Sequence, residues 1–194
     1  MRKAPYLAIA AALVGATACQ QTATTPDEAT FDARATAPAF GSKPVVLQFR
    51  GTDNSATPQQ VPDPFNGGTM AAVCFTIDLV DVNKDKVVGQ ATDCISVVGV
   101  ANGGLQVVET ATFDFGGGHT FTAQGLVSVQ ATTHGSPGVT HITGSISPAG
   151  QNDIIAGTGR YEGLNATVRL SGAADLSAFP AAVTFDCLFV VTAL

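Results

Sequence analysis

Two acids in this sequence sit where an acid is costly. Asp93 lies in the alternating run "VVGQATDCIS" and Glu109 in "LQVVETATFDF", each on a face whose other residues are apolar or small. Removed from water, such a carboxyl has its pKa raised, which suits it to donate or accept a proton near neutral pH. Asp93 and Glu109 are therefore the candidate catalytic residues. The competing reading places each near the end of its sheet, or turned to solvent by a bulge. Other chemistry finds less support. His119, His134 and His141 stand in or beside turns without ligand spacing, so no metal or cofactor is expected. "DVNKDK", Asp81 to Lys86, begins like a calcium loop but has Lys86 where the loop needs glycine, and reads as a hairpin turn. No histidine accompanies a candidate serine in a hydrolase motif.

The elements that would position the acids are strands. "PVVLQFR" places Val45, Leu47 and Phe49 on one side, and "VCFTIDLV" does the same with Val73, Phe75, Ile77 and Leu79. Such period-2 alternation marks strands with one buried face. Folding the chain about Lys84 pairs residues whose numbers sum to 168, so that Cys74 faces Cys94, Thr76 faces Thr92 and Asp93 faces Phe75. Opposed cysteines in an oxidising compartment predict a Cys74–Cys94 disulfide, worth roughly 3 kcal/mol for a loop of this length. A bulge in the hairpin would separate them. Cys187 shares a face with Phe185 and Phe189 and is expected to be a buried free thiol. A second hairpin turns at Gly117 and pairs Phe113 with Phe121, Ala111 with Ala123 and Glu109 with Gly125.

About eight or nine strands follow from these patterns, with no ten-residue helical pattern in the mature chain. The 21 glycines, the absence of tryptophan and the 12% charged fraction agree with an all-β domain over residues 42–194. The proline- and glycine-rich stretch 51–68 reads as a long loop within it.

The N-terminus reads as an address. Arg2 and Lys3 precede the apolar run "YLAIAAALVG", and small residues lead to Cys19, which predicts a secretory signal over 1–18 and a lipid anchor on Cys19 in the bacterial lipoprotein pattern. Gln20 favours the outer membrane; an ordinary signal peptide with Cys19 as a free thiol would make the protein secreted. Residues 19–41 read as a disordered tether. Cut at Cys19, the chain keeps 7 basic against 15 acidic residues, about −8, a balance that argues against nucleic acid.

"AGTGRYEGL" fails as a phosphate cradle, because Gly157, Gly159 and Gly163 have the wrong spacing and a strand pattern follows them. "GTGRYEGLNATVRLSG" instead resembles the glycine-rich signature that allene oxide cyclases and dirigent proteins carry between two late strands. "THITGSIS", the hairpin "FDFGGGHTFTAQGLVSV" and the closing apolar strand fall in the same order, so the resemblance covers about Val73 to Leu194. Its motif residues here are Gly157, Thr158, Gly159, Arg160, Tyr161 and Gly163. Ile155 and Ala156 replace the usual glycine pair, and Asn165 stands near an expected small residue. The resemblance implies an eight-stranded antiparallel β-barrel, a homo-oligomer such as the trimers of the cyclases, and an apolar cavity for a small apolar molecule. If the chain is an enzyme, the resemblance implies an isomerase or cyclase. The alternative is a non-catalytic structural or interaction lipoprotein, its interior filled by Phe75, Phe113, Phe121, Phe185 and Phe189.

Overall fold

A computed structural model describes residues 38–41, 43–101, 103–131, 138–145 and 151–194. The predicted signal peptide 1–18, Cys19 and the tether as far as residue 37 lie outside the described residues. Among the described residues ten strands follow one another: β1 (Val45–Asp53), β2 (Thr57–Pro62), β3 (Thr69–Asp81), β4 (Lys86–Ala101), β5 (Gly104–Asp114), β6 (Thr120–Ala131), β7 (Val139–Ser145), β8 (Ile154–Gly157), β9 (Ala166–Asp175) and β10 (Val183–Ala193). Their alternation sets the inner face. In β10, Val183, Phe185, Cys187, Phe189 and Val191 are buried, whereas Thr184, Asp186 and Leu188 are exposed.

Eight of the strands form a closed antiparallel barrel in the order β1-β10-β9-β7-β6-β5-β4-β3, with β3 returning to β1 through Leu47↔Asp81, Gln48↔Val80 and Phe49↔Leu79. Closure leaves no free edge in the ring. The other two strands pair outside it, β2 on β3 and β8 on β6.

The β3–β4 hairpin keeps the expected register by an unexpected route. Asp81 pairs with Lys86 and Val80 with Val87 around a turn centred half a residue before Lys84, and the extra residue Val88 then restores the pairing of Leu79 with Gly89 and of Cys74 with Cys94. A bulge of this kind, which would have broken the pairing in a turn centred on Lys84, is here what produces it. Cys74 and Cys94 are disulfide-bonded, and Cys187 is a buried free thiol.

Two boundaries differ from the sequence reading. Half of the stretch 51–68 is strand: Gly51 to Asp53 finish β1 and Thr57–Pro62 form β2. Pro58 and Pro62 hid that strand, since proline cannot serve a central ladder but is tolerated on an edge. The β2–β3 hairpin lies over the outer wall, where Val61, Ala72, Cys74 and Cys94 form a small second core. Gln124 Nε2 donates to Pro62 O at 2.7 Å and Ser96 Oγ to Ala71 O at 2.8 Å, which ties the hairpin down. The domain also begins before residue 42. Pro38 is buried, its carbonyl accepts from the Tyr161 hydroxyl at 2.8 Å, and Phe40 packs on Phe121 and Tyr161.

Candidate functional site

β4 and β5 are antiparallel neighbours, with Asp93 facing Ala111 and Ile95 facing Glu109. The two acids are therefore diagonal neighbours on the inner face, both fully within the barrel. Gly125, opposite Glu109 on β6, leaves room beside its carboxyl. Around them stand Ile95, Val107, Val127, Val129, Ile142 and Leu170, which enclose a cavity of about 20 Å³. That is space for one water-sized group.

Among the described residues no hydrogen-bond donor reaches Asp93 Oδ1 or either oxygen of Glu109. The polar neighbour of each carboxyl is the other, and any hydrogen bond between them requires that one hold a proton. Burial raises both pKa values. The hydrogen bond from Glu109 partly offsets the rise at Asp93, whereas the charge of Asp93 and that same bond push Glu109 further up. The pair consequently holds a proton near neutral pH. Like charges this close in an apolar chamber do not both ionise.

Cys187 faces the same pair. Burial, followed by the charges of Asp93 and Glu109, pushes its thiol up to about 12, and Sγ donates to Ala173 O at 3.5 Å. A thiol so protonated is no nucleophile at neutral pH. Sequence reasoning had Cys187 buried but not within range of the acids' charge; that relation needs the β9–β10 and β4–β5 ladders together.

Ile95, Val107, Val129 and Ile142 also wall a second, apolar pocket of about 80 Å³, with Leu176 and Phe179 among its lining. The shared residues make it the antechamber of the acid pair, and this end is the mouth of the barrel. Val97 and Leu105 extend the wall, a role that only the closed barrel could disclose.

The opposite end is plugged. Phe113 stacks on Phe121 at 4.5 Å, and Phe115, Tyr161 and Phe40 close over them. The motif residues build this plug. Gly157 pairs with Phe121, four residues along β6 from the Gly125 that faces Glu109, so the motif and the acids occupy different levels. Gly159 and Gly163 have φ of +59° and +72°, the left-handed region that glycine tolerates. Thr158 Oγ1 meets Thr120 Oγ1 at 2.8 Å, Arg160 N–H donates to His119 Nδ1 at 3.2 Å, and the 3-10 turn Gly159–Tyr161 aims Tyr161 inward. The motif is thus a cap on the barrel. Among the described residues no group of three or more His, Cys, Asp or Glu could hold a metal ion.

No protein-family model matches the chain, and no curated protein matches it in sequence.

Proposed function

We propose that the chain is a lipid-anchored envelope protein, held at Cys19, whose allene oxide cyclase- and dirigent-like barrel binds a small apolar molecule at its mouth and directs its cyclisation or coupling. The observation that carries this reading is the acid pair. A barrel built only to be filled has no use for two buried, otherwise unpartnered carboxyls, each of which opposes folding when ionised. Behind an apolar antechamber the same pair is a proton source and sink. Glu109 donates to a polar atom of the ligand and Asp93 takes the proton that the rearranged product releases. A redox-neutral isomerisation leaves the pair with one proton, now on Asp93, and its passage back to Glu109 restores the starting state. Both pockets together are smaller than the roughly 300 Å³ usual for an organic ligand, so Phe179 and Leu176 move outward as the ligand enters.

A second reading, a filled structural barrel, is favoured by the aromatic packing of Phe49, Phe75, Phe185 and Phe189. Native mass spectrometry after incubation with a crude lipid and metabolite extract separates the two. The ligand-binding reading expects a retained mass that disappears in Val97→Trp, which narrows the mouth, and that persists unconverted in Glu109→Gln. A clean apo mass, with Glu109→Gln more stable and nothing lost, establishes the filled barrel.

A further inference from the structure

The hairpin turns at the two ends of the barrel differ in charge. The turns at the plugged end carry Lys84, Asp85, Lys86, Asp114, Arg160 and Glu162. At the mouth, the run from Ile95 to Val108 that builds the β4–β5 hairpin contains no charged residue. Asp53, whose carboxylate is taken up by Ser55 and Thr76, and Asp175 are the acids near the rim, and Arg50, paired with Asp186 at 3.7 Å, and His141 stand two or three residues down the wall from it.

The hairpin also reaches past the ring, and its inner side is bare. Val100 pairs directly with Leu105, so the two share a face, and Leu105, Val97 and Phe179 line one pocket. Their relative exposures are 78% for Val100, 60% for Val97, 45% for Phe179 and 39% for Leu105. A contiguous apolar rim at one end of a barrel, set against charge at the other, is the signature of an interaction surface.

We infer that the mouth of the barrel docks on a lipid bilayer, with the tip of the β4–β5 hairpin and Phe179 inserted among the acyl chains. The described residues of the hairpin carry no charge of either sign, so it offers a protein partner no ionic complement, while hydrocarbon asks for none. The chain outside the structure permits this orientation. Residues 20–37 lie between Cys19 and Pro38 and extend up to roughly 60 Å. Strands of 11 and 12 residues make the barrel on the order of 40 Å long at most. An anchor on Cys19 therefore leaves either end free to meet the membrane, although Pro38 lies at the plugged end. The inference concerns the mouth that the proposed ligand uses, but it does not require the acid pair to do chemistry.

The chain has no tryptophan, so one introduced indole reports its own surroundings. Full-length chain, anchored in phosphatidylcholine vesicles with brominated acyl chains, is compared as Val100→Trp and as Lys84→Trp. Both side chains are exposed, so neither substitution enters the core, and Lys84→Trp gives up the ion pair with Asp81. Docking by the mouth shifts the emission of Val100→Trp to the blue and quenches it, and leaves Lys84→Trp red and unquenched. Adding Leu105→Asp to Val100→Trp weakens that insertion by roughly tenfold. Equal, absent or reversed quenching overturns the inference. So does a blue shift without bromine quenching, which means that protein covers the rim, whether the chain's own apolar segment at residues 6–15 or a second copy. Glu109→Gln in the same background leaves quenching unchanged, so a failed ligand reading and a failed docking reading give different results.

Discussion

The two halves of the barrel interior use the same alternating strands for opposite ends. In the plugged half, Phe113, Phe115, Phe121 and Tyr161 make ring contacts between 4.5 and 5.9 Å, and the Tyr161 hydroxyl donates to Pro38 O. In the mouth half, aliphatic side chains surround two carboxyls that have only each other, with cavities of about 20 and 80 Å³. Aromatic rings fill space and satisfy their few polar atoms cheaply. Leaving voids and buried acids a few residues away costs stability without improving packing. A molecule that keeps both halves therefore separates holding the barrel together from acting on something.

The sharpest way to break this contrast is Phe121→Ala. It should cost about 3–5 kcal/mol in denaturant unfolding, because the plug cannot collapse around the missing ring. A loss below about 1 kcal/mol would mean that this half is not the stabilising one. Next is the covalent tie: Cys74→Ser with Cys94→Ser, or reduction, should cost up to about 3 kcal/mol and free the β2–β3 hairpin on the outer wall. Hydrogen exchange should then rise at Ala71 and Pro62's neighbours before it rises inside the barrel.

The mouth half makes a prediction of opposite sign. Burial raises the folded-state pKa of Asp93 from the usual carboxylate range to about 7, and that of Glu109 well above its ordinary value. The folded chain thus binds protons more tightly than the unfolded one, so this contribution is fully present below about pH 4 and is lost as pH rises through about 7. Glu109→Gln should accordingly be more stable than the parent at pH 8, by about 1–3 kcal/mol, and equal to it near pH 4. Asp53 behaves oppositely: burial would raise its pKa, but hydrogen bonds from Ser55 and Thr76 hold it below the usual value, so its contribution fades only in strong acid. A parent whose stability rises steadily from pH 5 to pH 8 would refute the acid-pair reading. The smallest expected effect is Tyr161→Phe, roughly 1 kcal/mol, seen as faster exchange or proteolysis near Pro38 with the mouth unchanged.

Much of this contrast could be read before any coordinates. The placement of Asp93 opposite Phe75 and of Glu109 opposite Gly125, the Cys74–Cys94 bond, the buried Cys187 and the stack of Phe113 on Phe121 all follow from alternation within a hairpin. In a strand the side-chain period is two, so a local turn carries register information over ten residues. Local pairing has limits even so, as the bulge at Val88 shows: the pairing was right and the turn centre assumed for it was not.

What the linear order could not supply was every relation between hairpins. The meeting of Asp93 with Glu109 depends on the β4–β5 register, and the approach of Cys187 to both depends on a strand nearly 80 residues later in the chain. The conversion of 51–68 from loop to edge strand depends on the outer wall it lies against. Closure itself rests on three residue pairs between β1 and β3. By itself the sequence determined which side chains face inward, because alternation is a property of each strand alone. Tertiary structure decided which inward-facing residues meet, because that depends on the stagger with which eight strands close, a quantity that belongs to the ring and to no single strand.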